Sequence, residues 1–217
     1  MSSARKVATD FTLCFLENYI SKPQRILEVG CGSGDLSHAL KERGHDILGI
    51  DTSEKAIINT KAKGVSAKLA RIEDIKDDNF DAILFTRSLH HIHPIESCLE
   101  VARLRLKLKP SGQIILEDFG YDLFDEKTAL WHGVTLDDWF KDHNHGPQLH
   151  KFKDLVALVK SKFKNVQVIE NIPYLFRYSI NSEKATEESI LELLEIEKSL
   201  INKNKISGIG FRLVAGH

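Results

Sequence analysis

The chain has 217 residues, 42% of them hydrophobic and 28% charged, enough apolar content for a packed α/β domain and too much for a disordered tail. Thirty Lys and Arg against 31 Asp and Glu leave a formal charge of −1, which argues against a whole-protein electrostatic hold on nucleic acid. No apolar run approaches the ~18 residues of a membrane span. The first 20 residues, broken by Asp10, Glu17 and Asn18, read as neither signal peptide nor anchor, and three scattered cysteines, Cys14, Cys31 and Cys98, suit a reducing cytoplasm rather than a disulfide framework.

One domain over 1–217 is expected. A helix is predicted within residues 1–22, where Val7, Phe11, Phe15 and Tyr19 recur at helical spacing with Cys14 beside them, before Pro23. Arg25–Val29 (RILEV) reads as a strand running into the turn GCGSG. A helix follows from about Asp35, with Leu36, Ala39 and Leu40 inward and Gly44 as its stop. Asp46–Asp51 is a second strand, Ser53 caps a helix ending at Gly64, and Lys68–Ala70 is a third strand. Phe80–Thr86 is apolar enough for the middle of a sheet. Pro94 opens a helix with Ile95, Cys98, Leu99 and Ala102 inward, Arg103, Arg105, Lys107 and Lys109 near its end, and Pro110 as its stop. Gln113–Phe119 is a fifth strand, and the alternation so far specifies a parallel sheet with right-handed crossovers.

The pattern then changes. Residues 120–150 hold both tryptophans, many acids and no clean period, and read as a lid or acceptor-site insertion. Phe152, Leu155, Val156, Val159 and Phe163 restore a helical stripe, Asn165–Ile172 is a sixth strand, Ile190, Leu193, Leu194, Leu200 and Ile201 line another helix, and GFRLVAG is a last strand.

The turn after the first strand carries the chemistry. Glycines there permit positive φ and close approach of a ligand, and Asp51, 21 residues after Gly30, can hold a ribose through its hydroxyls. A dinucleotide turn wants G-x-G-x-x-G, so that a pyrophosphate can rest on the helix N-terminus. Here the spacing is G-x-G-x-G, with Asp35 where the third glycine would be. A carboxylate at that position repels a pyrophosphate. Together with Glu28 it suits a cationic ligand, which favours S-adenosylmethionine, with its sulfonium and ammonium, over NAD.

These motifs, ILEVGCGSG, GIDTS, FDAILFTRSLHHI and LKPSGQIILEDF, in order over residues 25–120, resemble the class I S-adenosylmethionine-dependent methyltransferases, closest to the small-molecule group called type 11. PYLFRY and ISGIGFRLVA near the end are similar in outline to the tails of some members. The resemblance implies a doubly wound, seven-stranded, mostly parallel sheet (a Rossmann-like methyltransferase fold), with an antiparallel last strand beside the fifth. It implies that Glu28 and the backbone of Gly30, Cys31, Gly32 and Gly34 face the methionine end of the cofactor. Asp51 would bind the ribose, Thr52, Ile72 and Glu73 would flank the adenine, and Thr86 and Arg87 would line the methionine side. Arg71 stands where the family often has an Asp accepting from adenine, so a backbone group or Glu73 would have to substitute.

Methyl transfer from a sulfonium asks the protein chiefly for alignment, worth up to ~7–11 kcal/mol, and a base adds ~10²–10⁴-fold. His90 is the candidate base, with His91 beside it and His132, His143 and His145 in the insertion; the His90–His91 pair equally suits a structural role. His143, His145 and His150 match no structural metal spacing, and no metal is expected. Trp131, Trp139 and Phe140 fit either an aromatic substrate or the packing of the insertion. The run Glu183–Glu188 reads as the acidic start of a helix. The expected function is methyl transfer to a small-molecule acceptor. The alternatives are an RNA or protein methyltransferase, a non-catalytic S-adenosylmethionine-binding module and an NAD-linked oxidoreductase.

Overall fold

The computed structural model describes residues 3–106, 112–143, 149–182 and 185–216. The expected helix stop at Pro110, the cations Lys107 and Lys109, His145 of the histidine group and Glu183 of the acidic run lie outside these residues. The chain order is α1 (Ser3–Leu16), β1 (Arg25–Val29), α2 (Asp35–Glu42), β2 (Asp46–Asp51), α3 (Glu54–Ala62), β3 (Ser66–Leu69), β4 (Ala82–Thr86), α4 (Ile95–Arg105), β5 (Gln113–Phe119), α5 (Glu126–His132), α6 (Leu136–Asp142), α7 (Phe152–Lys162), β6 (Lys164–Ile172), α8 (Glu187–Asn202) and β7 (Gly210–Gly216).

The seven strands form one sheet in the order β3-β2-β1-β4-β5-β7-β6. The first five are parallel, and β7 runs antiparallel between β5 and β6, as the motifs imply. Alternate side chains of a strand point to opposite faces, and two cores follow. Leu27, Val29, Ile83, Phe85, Ile114 and Leu116 face α4 and α7, whereas Ile26, Ala82, Leu84 and Ile115 face α1 and α2. Helices therefore cover both faces, and β4 is buried along its whole length.

Three details differ from the sequence reading. Cys14 is on the solvent side of α1, whose buried residues include Ala4, Val7, Leu13, Phe15 and Leu16. The described part of 120–150 carries regular structure: Asp125 and Thr135 cap α5 and α6, and Trp139 stacks on Phe124 at 3.9 Å. Two seven-residue helices are too short to show a helical period, which is why the stretch looks aperiodic. In α8 the buried side includes Glu197 as well as Ile190 and Leu194.

Candidate active site

The parallel strands end at one edge of the sheet, where open α/β folds bind ligands. β1 passes there into Gly30, Gly32 and Gly34, at φ +75°, +54° and +74°. The three glycines answer different needs. A Cβ on Gly30 would come within 2.5 Å of Ser88, and one on Gly34 within 2.6 Å of Thr60, so both are packing requirements. A Cβ on Gly32 would meet nothing within 4 Å, so this glycine alone leaves open space for a ligand. Gly34, expected to contact a cofactor, borders neither cavity along the turn because its Cα side is taken by α3.

Asp51 ties the turn to β2. One carboxylate oxygen accepts the Gly32 N–H and the other the Ser53 N–H, each at 2.9 Å. Asp35 is not a free charge, because Lys63 reaches across from α3 to pair with it and also donates to the Ser33 carbonyl. Its repulsion of a pyrophosphate is therefore weaker than the sequence suggests. Glu28 is buried in the middle of β1. Burial pushes its pKa up, opposed by hydrogen bonds from the Ser37 and Thr86 hydroxyls (the latter at 3.1 Å) and by the charge of Arg87. Burial also raises the Cys31 thiol to about 12, which removes it as a nucleophile at neutral pH.

Two cavities flank the turn and share Gly30, Gly32 and Arg87. One, about 430 Å³, adds Glu28, Cys31 and Thr86. The other, about 480 Å³, adds Asp51, Thr52, Ile72 and Glu73. Apart from Gly34, the residues expected at the cofactor thus gather along one crevice, acids at both ends. Arg71 also borders it, held by the His93 carbonyl at 2.7 Å and by Glu73 at 3.4 Å. Arg87, at φ +58°, occupies a backbone region that costs a non-glycine residue about 1–3 kcal/mol. Its N–H donates to the Glu117 carbonyl at 2.7 Å, which anchors it at the junction of the cavities.

A third cavity, about 350 Å³, adjoins both and is lined by His90, His91, Phe119, Tyr174, Arg177 and Tyr178, among others. His90 is buried, and its Nδ1–H donates to Asp118 at 2.6 Å. With that tautomer Nε2 keeps its lone pair, and no group among the described residues hydrogen-bonds it. A carboxylate-oriented imidazole on the wall of a cavity has the chemistry to accept a proton.

Behind the wall lies a second polar centre. Glu117 accepts from Arg177 and Arg212, at 2.7 and 2.8 Å, and from Thr12, with Arg87 at 3.7 Å. Burial alone would raise its pKa, but the three guanidiniums and Thr12 outweigh it and hold the carboxyl below the ordinary range. Burial in turn lowers Arg177 to about 10. Glu197 accepts the backbone N–H groups of Tyr174, Leu175 and Phe176 at 2.7–3.0 Å and so secures the turn that carries Arg177 and Tyr178.

The remaining histidines disperse. His143 donates to the Trp139 carbonyl through Nδ1 at 2.8 Å and faces the Tyr178 hydroxyl at 3.1 Å, on the third cavity. His132 lines none of these three cavities, and His150 bonds the Ile92 carbonyl elsewhere. Trp139 is buried with its Nε1–H on the Tyr121 carbonyl, so it packs the insertion rather than facing a ligand. Among the described residues no three His, Cys, Asp or Glu side chains group as a metal site, and no helix is long and apolar enough to cross a membrane. Sequence reasoning missed Glu117, Asp118, Tyr174, Arg177 and Glu197. The signal for the first two was present: adjacent acids in a buried strand must each find a partner.

Comparison with known proteins gives a consistent picture. Residues 3–168 match a family model described as a methyltransferase domain. An uncharacterized methyltransferase of Staphylococcus carnosus is 31% identical over 97 residues, 43% of this chain and 46% of the relative. A ubiquinone biosynthesis O-methyltransferase of Dechloromonas aromatica is 34% identical over 102 residues, 43% of each chain. The chain thus spans under half the length of these curated relatives. Among solved structures, a SAM-dependent methyltransferase from Archaeoglobus fulgidus shares the fold with a TM-score of 0.67 at 18% identity, covering 98% of this chain and 94% of that one.

Proposed function

The chain belongs to the methyltransferase-domain family, and we propose that it transfers a methyl group from S-adenosylmethionine to a small-molecule acceptor, with His90 as the general base. The observation that carries this reading is the crevice over Gly32, open where a Cβ would stand and bounded by Glu28 at one end and Asp51 at the other. Glu28 suits an ammonium, Asp51 the two hydroxyls of a ribose, and Ile72 with Thr52 the faces of an adenine. Cys31, Thr86 and Arg87 complete the methionine side, with Arg87 suited to a carboxylate.

Bound there, the cofactor supplies an electrophilic methyl carbon on a sulfonium, a leaving group that departs as a neutral thioether. The chain's own task is to align an acceptor in the adjoining cavity and exclude water. For a hydroxyl acceptor, His90 Nε2 takes the released proton as the acceptor oxygen is alkylated, and Asp118 offsets the charge of the imidazolium. His143 and Leu149 contribute a wall of the acceptor site, with the helix that carries His143 held in place by buried Trp139. Three cysteines outside any disulfide suit a cytoplasmic location.

Calorimetric titration of S-adenosylmethionine, S-adenosylhomocysteine and NAD tests the reading. Micromolar binding of the first two without NAD supports it, and binding of NAD alone overturns it. Formation of S-adenosylhomocysteine over a panel of small acceptors tests the transfer itself. A protein that binds the cofactor and methylates only RNA or protein would refute the small-molecule assignment.

A further inference from the structure

The groups that line the third cavity differ in what they have left to offer a ligand. Arg177 has little, because its guanidinium is spent on Glu117, Thr12 and the Ala8 carbonyl at 2.7, 3.2 and 3.4 Å. Tyr178 has more. It lines the cavity and is 44% exposed. Its ring is held by Trp139, His132 and Tyr174, at centroid distances of 5.7, 5.8 and 6.2 Å, so its hydroxyl stands in a fixed place. The surrounding wall is aromatic and suits a flat ring.

A chain of hydrogen bonds also fixes the direction of that hydroxyl. The Trp139 carbonyl can only accept, so His143 Nδ1, at 2.8 Å from it, carries the ring proton. In the neutral imidazole Nε2 then has only a lone pair, and the Tyr178 hydroxyl, 3.1 Å away, must donate to it. Burial and the charge of Asp118 push the Tyr178 phenol above its ordinary value, so the proton stays in this bond. What Tyr178 keeps for a ligand is its oxygen lone pairs. His90 is in the same condition, since its Nδ1–H is spent on Asp118. Both groups can accept a hydrogen bond, and neither has a proton left to give.

We propose that Tyr178 selects the methyl acceptor by accepting a hydrogen bond from it, so that the acceptor carries two donors on a flat ring: the hydroxyl that is methylated, and a second hydroxyl or amine that donates to Tyr178 Oη. This rests on the methyl-transfer reading, which places the acceptor in this cavity with its reacting hydroxyl at His90. His143 is a positioning residue, acting through Tyr178 by deciding where the phenolic proton points. An ether or carbonyl oxygen in place of the second donor would set lone pair against lone pair at Tyr178 and leave both without a bond.

The test uses the full chain saturated with S-adenosylhomocysteine, and as probes the three dihydroxybenzenes, each beside its own monomethyl ether. Calorimetry is expected to show at least one diol binding about fivefold or more tighter than its ether. Tyr178→Phe keeps the ring and its packing, and should abolish that gap by weakening the diol. His143→Phe should abolish it from the other side: the Tyr178 proton, released from its bond, is donated to the ether oxygen, so the ether tightens while the diol stays within about twofold. A purely structural role for either residue would weaken diol and ether alike, and that outcome overturns the proposal. So do equal binding of every diol and its ether to the wild type, absence of binding by any diol, a gap that survives Tyr178→Phe, and a His143→Phe protein that still rejects the ether. Failure of the wild-type protein to bind S-adenosylhomocysteine instead overturns the methyl-transfer reading beneath it.

Discussion

Asp118 holds His90 at two points: one carboxylate oxygen accepts the ring Nδ1–H at 2.6 Å and the other accepts the backbone N–H at 3.2 Å. The imidazole is thereby fixed in position and in tautomer. Asp118→Asn offers Nδ1 an amide donor and favours the tautomer protonated at Nε2. Turnover of an acceptor that the wild type methylates should fall ~10²–10⁴-fold, with cofactor affinity unchanged. Nitrogen-15 shifts of the His90 ring provide a check that needs no acceptor. A ring still protonated at Nδ1 in the variant would remove Asp118 from this role.

The glycine turn separates a ligand effect from a packing effect. Gly32→Val should fold at a cost of about 1–2 kcal/mol for its left-handed backbone, yet lose cofactor binding, because its side chain enters the open space of the crevice. Gly34→Val should instead lose stability severely, since its Cβ meets Thr60 backbone and side-chain atoms at 2.6–2.8 Å. Thermal melts with and without S-adenosylhomocysteine distinguish the two. A Gly32→Val protein that still gains stability from the ligand would contradict the placement.

Glu117 and Asp118 are neighbours on β5, and the alternation of a strand sends them to opposite faces. Glu117 enters the arginine cluster and Asp118 reaches His90. The strand itself was legible as an apolar run, and so were Glu28, Asp51 and the glycine turn, because they lie on short local patterns. The partners were not. Arg177 and Tyr174 come from a segment about 60 residues beyond β5, and only the placement of β7 between β5 and β6 brings that segment against the site. Asp35 was legible as an acid, but Lys63, which pairs with it, is a helix away.

Glu117 also sets an acid limit on stability. Burial works against its charge, but Arg177, Arg212, Arg87 and Thr12 depress its pKa in the folded protein. Its stabilisation is therefore complete above the ordinary glutamate value and is lost as pH falls toward the lower folded value. Glu117→Gln should flatten that acid limb and cost about 3–5 kcal/mol at neutral pH, because three guanidiniums lose their shared carboxylate. Urea midpoints across pH 3–7 measure both. A variant as stable as the wild type at neutral pH would contradict the cluster's role.

Glu28 works in the opposite sense. Burial raises its pKa, so it ionises at higher pH than an ordinary glutamate. A cationic ligand favours the ionised form, and the Kd for S-adenosylmethionine should fall as pH rises through the raised value, then level off. Glu28→Gln should bind more weakly and without that slope. An unchanged slope in the variant would assign the pH dependence to another group.

The most direct measurement is the affinity of Asp51→Ala for S-adenosylmethionine, set against the wild type by calorimetry. Asp51 holds Gly32 and Ser53 and faces the crevice at the end suited to a ribose. Loss of these charge-assisted bonds is expected to weaken binding by about tenfold or more in a chain that remains folded. Wild-type affinity in the folded variant would contradict the placement of the cofactor along this edge of the sheet.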